Sequence, residues 1–197
     1  MPERRVFVLN GHPAEQSLNA SLARAYAVAA RSAGFSVRES HLASLTFDID
    51  FGRAGYRDVK PLEPVLETIL QSFEWADHIV LTMPMWWGGM PAKLKGLFDR
   101  ILLPGRAFDP RVRDEVGMPK PLLTSKTARV IVTSDTPAEH LRTVYSDAML
   151  HQIRSQILDF VGIAPSEITY FQGASSVDEQ TVKAWISELR ELAQEAA

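Results

Sequence analysis

Residues 78–101 read HIVLTMPMWWGGMPAKLKGLFDRI, and this stretch predicts three structural elements in a row. Residues 78–83 are apolar on both faces, which is typical of a central parallel strand covered from both sides. Residues 84–91 are bounded by prolines and contain Gly-Gly, so they fit neither a helix nor a strand. Pro91 suits the first turn of a helix. The apolar face of that helix repeats at helical spacing and consists of Leu94, Leu97, Phe98 and Ile101.

The same alternation of strands and helices extends over the rest of the chain. Further strands are predicted at residues 6–9, 37–42, 130–132 and 168–171, and further helices at residues 18–29, 62–73, 150–161 and 182–192. The strand at 37–42 alternates with polar residues, so we expect it at an edge of the sheet. Gly34 and Gly162 are expected to cap two of the helices.

Five strands alternating with five helices predict an α/β fold with a five-stranded parallel sheet and helices on both faces. We interpret residues 1–197 as one domain. Residues 43–60 and 104–126 fit no element, and we expect them to be loops that roof a site.

The composition excludes several classes of protein. Of the 197 residues, 46% are apolar and 23% are charged, so neither disorder nor a small disulfide-stapled scaffold fits. The chain has no cysteine, which excludes a thiol nucleophile, an iron–sulfur cluster and a cysteine zinc site. Its five histidines show no metal-ligand spacing, and we expect no metal.

Charge and hydropathy also limit the partners. The net charge is −3, so nucleic acid is not an expected partner. No apolar run is long enough to span a membrane. A chain without cysteine is compatible with a reducing cytoplasm, and we expect a cytoplasmic location.

The loops after the strands form the candidate site, because open parallel sheets bind ligands beyond the carboxyl ends of their strands. Residues 10–19, after the first strand, read NGHPAEQSLN and match neither the dinucleotide nor the P-loop glycine spacing. A helix begins there, and its backbone N–H groups together with His12, Ser17 and Asn19 predict a phosphate cradle. The alternative is ordinary capping by Ser17, with His12 on the surface.

The loop at residues 84–91 predicts a platform for a planar ring. Trp86 and Trp87 offer flat apolar surface, and the glycines beside them leave backbone donors accessible. The alternative is that one tryptophan packs in the core. After the fourth strand, residues 133–137 read TSDTP and predict a polar turn, either with a ligand or as a simple Asx-type turn. A phosphate cradle and a ring platform at one sheet edge together suit a flavin nucleotide.

Residues 12–19 and 84–100 resemble the flavodoxin-like NAD(P)H dehydrogenase (quinone) family, the DT-diaphorase group and its bacterial relatives. The second stretch follows the family pattern P-x-x-W-x-x-x-P-A-x-x-K-G-x-x-[DE]-R, and the resemblance covers nearly the whole chain. It implies a flavodoxin-like three-layer sandwich and a flavoprotein that transfers a hydride from NADH or NADPH to quinones or similar flat acceptors, with ping-pong kinetics. It favours FAD over FMN. The flavin contacts it implies are His12, Ser17, Leu18, Asn19, Pro84, Met85, Trp86, Trp87 and Gly88.

Five further positions follow from the resemblance less directly. The family's strand-four loop carries two glycines that are missing here, yet Ser134, Asp135 and Thr136 remain the corresponding flavin contacts. His140 and Tyr145 lie in the segment that holds a Tyr and a His near the flavin in relatives, although their spacing differs. They are the candidates for stabilising charge on the reduced flavin, and the alternative is that both are solvated helix-start residues.

Relatives are two-fold dimers in which a loop brings an aromatic residue over the partner's flavin, and the match here is Phe108. We therefore expect a homodimer with Phe108 at the substrate pocket, and apolar residues 102–108 exposed in a lone monomer. The alternative is that Phe108 folds back on its own subunit. Two other functions stay open: a flavodoxin-like regulatory module of an ion-efflux system, or a one-electron flavin carrier. A carrier needs a charged docking face, and the small net charge argues against it.

Overall fold

The computed structural model describes residues 4–52 and 58–195. In chain order its strands are β1 (Arg5–Asn10), β2 (Ser36–His41), β3 (His78–Pro84), β4 (Phe108–Arg113), β5 (Pro119–Pro121), β6 (Lys126–Ser134) and β7 (Ile163–Gln172). The α-helices are α1 (Leu18–Ser32), α2 (Pro64–Trp75), α3 (Ala92–Ile101), α4 (Ala138–Thr143), α5 (Ala148–His151) and α6 (Glu179–Glu195). A short 3-10 helix (Leu42–Ser44) follows β2, and a π-helix (Gln152–Asp159) continues α5.

Five parallel strands form the central sheet in the order β2-β1-β3-β6-β7. Successive side chains point to opposite faces, and the two faces pack into two separate apolar clusters. Val6 and Val8 of β1 lie in the cluster that includes residues of α1 and α6, whereas Phe7 and Leu9 lie in the cluster with α2 and α3. The predicted three-layer flavodoxin-like fold is confirmed, and β2 lies at an edge as expected.

The end of the 84–100 block stabilises the fold. Arg100 is only 1% exposed, and its guanidinium forms an ion pair with Glu63 at 2.7 Å. It also donates to the backbone carbonyls of Pro61, at 2.9 Å, and Asp48. One turn earlier, Gly96 leaves room for Ile49, because a Cβ at position 96 would lie 2.9 Å from the Cβ of Ile49. The block therefore holds the segment after β2 against α3.

The interpretation of residues 104–126 as a loop without regular structure is wrong. Strands β4 and β5 pair there as an antiparallel ribbon. The connecting turn closes through a 2.9 Å hydrogen bond from the amide of Asp114 to the carbonyl of Met118, with Gly117 at φ +87°. The prolines at 110, 119 and 121 hide these strands in the sequence, but a two-stranded ribbon tolerates proline on its unpaired edges.

Other boundaries differ because polar residues continue the elements. The strands predicted at 130–132 and 168–171 extend to nine and ten residues, since the buried polar residues Lys126, Thr133 and Ser134 pair in the ladder beside the apolar ones. The helix predicted at 150–161 consists of α5 and the π-helix, and Gly162 follows it at φ +98°. Within residues 43–60, the five residues 53–57 lie outside the described residues. The single domain over 1–197 stays a prediction.

In the described part of the chain, no helix combines the length and the apolar character needed to cross a membrane.

Candidate functional site

A cleft of about 340 Å³ opens at the carboxyl ends of β1, β3 and β6. It gathers most of the residues predicted to bind the cofactor: His12, Ser17, Leu18, Asn19, Pro84, Met85, Trp86, Ser134 and Asp135. Trp87, Gly88 and Thr136 lie next to these residues in the chain but outside the described lining. The loops after three separate strands therefore do converge at one sheet edge.

Four lining residues were not predicted as contacts: Gln16, Thr133, Ala174 and Ser175. Gln16 and Thr133 belong to the loops already singled out. Ala174 and Ser175 belong to the turn after β7, which carries no recognisable motif. The signal that predicts them is topological, because β7 is parallel to its neighbours and ends at the same edge.

Asn10 and His12 order the loop after β1. The side-chain oxygen of Asn10 accepts hydrogen bonds from the amide of His12, at 3.1 Å, and from the hydroxyl of Thr82, at 3.2 Å. Nδ1 of His12 accepts from the amide of Ala14 at 3.0 Å, which leaves the ring proton on Nε2. Burial lowers the pKa of His12, so the ring is a neutral Nε2–H donor at pH 7.

The start of α1 supplies the backbone donors. The hydroxyl of Ser17 accepts the amide of Ala20 at 3.1 Å, so Ser17 is the N-cap, as the capping alternative stated. This cap leaves the amides of Leu18 and Asn19 without a carbonyl partner in the helix. Capping and anion binding are therefore compatible here, because the positive end of the helix dipole faces the cleft.

Asn19 is the most informative residue of the cleft. It is 2% exposed, its side-chain oxygen accepts from the hydroxyl of Thr133 at 3.0 Å, and its backbone carbonyl accepts from Thr82 at 3.1 Å. Its side-chain nitrogen Nδ2 is buried and has no hydrogen-bond partner among residues 4–52 and 58–195. An unpaired buried donor costs about 1–3 kcal/mol. A rotation of the Asn19 amide toward the cleft would let this nitrogen pair with an acceptor atom of a ligand, such as the phosphate or a ring carbonyl of a flavin.

Trp86 and Trp87 form a tight turn instead of part of the core. The amides and carbonyls of Trp86 and Gly89 exchange two hydrogen bonds of 2.9 Å. The central residues Trp87 and Gly88 have φ of +52° and +70°, which is a type I′ arrangement. Trp86 is 45% exposed and Trp87 fully exposed, so the alternative in which one of them packs in the core is wrong. The ring of Trp86 meets that of His12 edge to face at 5.4 Å.

The loop after β6 is tied to the chain after β7. The hydroxyl of Ser134 accepts the amide of Thr136 at 3.0 Å, and Asp135 accepts the amide of Ser175 at 2.7 Å. The hydroxyl of Tyr170 donates to the carbonyl of Thr136 at 2.8 Å. These bonds form the predicted polar turn, and they fix it without the two glycines of the family pattern.

His140 and Tyr145 lie on the surface after this loop. Their rings meet edge to face at 4.9 Å, both side chains are exposed, and the described lining of the cleft contains neither. Their predicted role beside the flavin stays a prediction.

Phe108 lies in a second cavity, away from the cleft. It is 8% exposed and packs edge to face on Phe160 at 5.3 Å, as in the alternative where it folds back on its own subunit. The cavity measures about 520 Å³, lies between α3 and the π-helix, and is also lined by Phe51 and Leu102. The loops at 43–60 and 104–126 therefore meet at this cavity.

The expected exposure of residues 102–108 is wrong. Ala107 and Phe108 are buried, and Leu102 is half-buried. The exposed apolar side chains lie farther along the ribbon and beyond it: Val112, Val116, Met118 and Leu122. The segment turns inward because β4 begins at Phe108, whose ring then faces the helices.

Comparison with known proteins agrees with this fold. The chain matches a family described by its flavodoxin-like fold over residues 4–193. It is 26% identical over 223 residues to rat NAD(P)H dehydrogenase [quinone] 1, covering all of this chain and 80% of that protein. It is 29% identical over 123 residues to an FMN-dependent NADH:quinone oxidoreductase of Gluconacetobacter diazotrophicus, covering 60% of this chain and 57% of that protein.

A solved structure with the same fold is the NAD(P)H:quinone oxidoreductase of Methanothermobacter marburgensis. The two superpose with a TM-score of 0.82 at 20% identity, covering 99% of this chain and all of that one. At this identity the likeness concerns the fold. The family match over residues 4–193, with relatives named as quinone dehydrogenases, confirms the resemblance seen in residues 12–19 and 84–100. The chain belongs to the flavodoxin-like family.

Proposed function

We propose that the protein is a flavin-dependent NAD(P)H oxidoreductase that reduces quinones or similar flat acceptors by hydride transfer. The observation that carries the proposal is the cleft, where the unpaired amide nitrogen of Asn19 and the exposed ring of Trp86 share one lining. Buried donors suit the acceptor atoms of a flavin, and an exposed indole suits its planar ring. The relatives named NAD(P)H dehydrogenase (quinone) support the same reaction.

Residues at the two ends of the cleft would bind different parts of the flavin. The amides of Leu18 and Asn19, with Nε2–H of His12, would hold the flavin phosphate at the start of α1. Residues 84–88 would lie against the ring, and Ser134 to Thr136 would border its polar edge. When bound, the flavin supplies the hydride-transfer chemistry. The protein then positions the substrates and keeps water from the ring surface, which both substrates use in turn.

The conformation and exposure of Trp87 support a role of the turn at residues 86–89 in ligand binding. A bulky residue at positive φ is strained by about 1–3 kcal/mol, and a fully exposed indole gains nothing from the core of its own chain. Contact with a flat ligand above the cleft would give the indole a partner. We therefore keep Trp87 and Gly88 among the proposed flavin or substrate contacts.

We propose FAD as the flavin, with FMN as the alternative. A further cavity of about 250 Å³ adjoins the cleft, shares Gln16 and Ser17 with it, and reaches Arg24 along α1. It offers space for the adenosine half that FAD has and FMN lacks. The FMN-dependent relative from Gluconacetobacter diazotrophicus favours the alternative. Mass spectrometry of the flavin released from the purified protein decides between them.

We also propose a homodimer in which each subunit completes the other's site. The cavity of Phe108 and Phe160 is open and is lined by both apolar and polar side chains. The ribbon residues Val112, Val116 and Met118 are exposed apolar side chains that a partner subunit would cover. Seated over a partner's cleft, the two phenylalanines would roof its ring surface. Phe108→Leu keeps most of the buried apolar contact. This variant should stay dimeric in sedimentation and bind flavin, but show a raised KM for quinone. Full turnover by a demonstrated monomer would exclude the shared site.

The proposed reaction is tested by the visible spectrum of the purified protein and by steady-state assays with NADH, NADPH and a panel of quinones. A flavin spectrum and parallel double-reciprocal lines are expected. Bound flavin without nicotinamide-driven turnover would support the regulatory or carrier function instead. The proposed cytoplasmic location is tested by cell fractionation with an antibody to the protein.

A further inference from the structure

A third group of polar side chains lies beside the loop after β6, on the side away from α1. Asp147, His151 and Arg154 surround a cavity of about 220 Å³ whose apolar lining is Leu150, Ile168 and Tyr170. We call it the lateral cavity. It shares no described lining residue with the cleft, so it can take a different part of a ligand.

Tyr170 connects the lateral cavity to the cleft. Its ring lines the cavity, and its hydroxyl donates to the carbonyl of Thr136 in the loop that borders the cleft. Burial raises the pKa of Tyr170, so the hydroxyl stays a donor and keeps this link at neutral pH. One hydrogen bond therefore joins the lining of the lateral cavity to the loop that borders the cleft.

The side chains of His151 and Arg154 in the lateral cavity have no partner in the described part of the chain. Both side chains are exposed, and over residues 4–52 and 58–195 neither makes a hydrogen bond or an ion pair. Arg154 thus resembles the exposed Arg24 and Arg190 in having no carboxylate partner there, and differs from Arg190 in lining a cavity. Asp147 lines the same cavity, but its carboxylate is not paired with Arg154. A guanidinium without an internal counter-ion is available for an anion, and the planar fork suits phosphate.

The turn before His151, which carries Asp147, has a strained backbone. Ser146 and Asp147 both have φ of +51°, a conformation that costs a non-glycine residue on the order of 1 kcal/mol or more. The amide of Asp147 is bound to the carbonyl of Leu141 at 3.0 Å, and its carbonyl accepts the amide of His151 at 2.9 Å. The turn therefore presents Asp147 and His151 to one cavity together.

We propose that the lateral cavity binds the adenosine 2′-phosphate end of NADPH, which makes NADPH the preferred hydride donor. The inference rests on the proposed function. Arg154 and His151 would bind the 2′-phosphate, and the Tyr170 ring with Leu150 would pack on the adenine. Asp147 would accept a hydrogen bond from the adenine amino group or a ribose hydroxyl. NADH lacks the phosphate and would leave Arg154 unpaired.

The direct test is calorimetry of the purified protein with 2′,5′-ADP, 5′-ADP and inorganic phosphate. The intact protein should bind 2′,5′-ADP at least about tenfold more tightly than 5′-ADP, and Arg154→Gln should weaken 2′,5′-ADP binding by about tenfold. Arg190→Gln is the matched control, because Arg190 is an exposed arginine on α6 that lines neither cavity in the described structure. It should bind 2′,5′-ADP like the intact protein.

Three results would overturn the inference: equal affinity for 2′,5′-ADP and 5′-ADP, unchanged binding in Arg154→Gln, or inorganic phosphate binding as tightly as 2′,5′-ADP. In assays, the kcat/KM for NADPH divided by that for NADH should fall about tenfold in Arg154→Gln. If neither donor supports turnover, the proposed function fails while the calorimetry still decides this site. If both donors support turnover but calorimetry shows no preference, this inference alone fails.

Discussion

Replacing Asn19 by alanine separates the effect on ligand binding from the effect on stability. The side-chain oxygen of Asn19 is hydrogen-bonded within the protein, whereas its side-chain nitrogen has no partner in the described structure. Asn19→Ala removes the bond from the Thr133 hydroxyl, worth about 1 kcal/mol, and also removes a buried unpaired nitrogen that costs about 1–3 kcal/mol. The two contributions oppose each other. The free energy of unfolding of the apoprotein should therefore change by no more than about 2 kcal/mol, in either direction.

Flavin binding has no such compensation in this variant. A hydrogen bond from Nδ2 to a charged phosphate oxygen is worth about 1.5–3 kcal/mol, so affinity should fall roughly 10- to 150-fold. Titration of the apoprotein with FAD and FMN, followed by the quenching of flavin fluorescence, measures the affinity. Urea unfolding of the apoprotein measures the stability.

Ser166→Ala is the matched control. Ser166 in β7 is 6% exposed and its hydroxyl is also buried without a partner in the described structure, but it does not line the cleft. Its replacement should stabilise the apoprotein by about 1 kcal/mol and leave flavin affinity unchanged. Asn19→Ala with the flavin affinity of the intact protein would refute the assignment of Asn19 as a ligand.

Three other substitutions test separate parts of the structure. Arg100→Met should lower the free energy of unfolding in urea by about 3–5 kcal/mol, because it leaves Glu63 and two carbonyls without their partner. A loss below about 1 kcal/mol would contradict the stabilising role of the Arg100 hydrogen bonds. Trp87→Ala should change the free energy of unfolding by less than about 0.5 kcal/mol but weaken flavin or quinone binding by about 1–3 kcal/mol. A lowered melting temperature with unchanged binding would place Trp87 in the core. Burial lowers the pKa of His78 from 6.5 to about 4, so the unfolded chain binds a proton that the folded chain does not. The free energy of unfolding should fall by on the order of 3 kcal/mol as the pH drops from 6.5 to 4. Urea unfolding at several pH values should show a weaker dependence of this free energy on pH in His78→Gln. The same pH dependence in both proteins would contradict its assignment to His78.

The 84–100 block shows how far local signals reach. Its strand, turn and helix are predictable because an apolar run, a Pro- and Gly-rich loop and a helical period each act over a few residues. The burial of Arg100 is not predictable in this way, since its partner Glu63 lies 37 positions away. A charged residue in a surface-like pattern becomes part of the core only when the segment after β2 packs on α3.

The cleft was predictable in outline and not in detail. Parallel strands place their following loops at one edge, and this rule brought His12, Trp86 and Ser134 together. The rule does not reveal which donors remain unpaired. The partner of the Asn19 oxygen, Thr133, is 114 positions away, and only the folded chain shows that Nδ2 has none in the described structure.

The β4–β5 ribbon and the burial of Phe108 were not predictable from the sequence. Prolines mask the strands of the β4–β5 ribbon, and the register that turns Phe108 inward depends on its pairing with Pro121. Phe160, which meets Phe108, comes from the helical segment before β7. Contacts between such distant segments depend on packing, which local periodicity does not encode.

The central claim is that this cleft binds a flavin used to pass a hydride from NAD(P)H to a quinone. The most direct measurement is an anaerobic titration of the apoprotein with FAD under the visible spectrophotometer, followed by NADPH and then a quinone. We expect one flavin bound per chain, loss of the visible flavin absorbance on addition of NADPH, and its return on addition of quinone. A protein that binds neither FAD nor FMN, or a bound flavin whose absorbance neither nicotinamide changes, would contradict the claim.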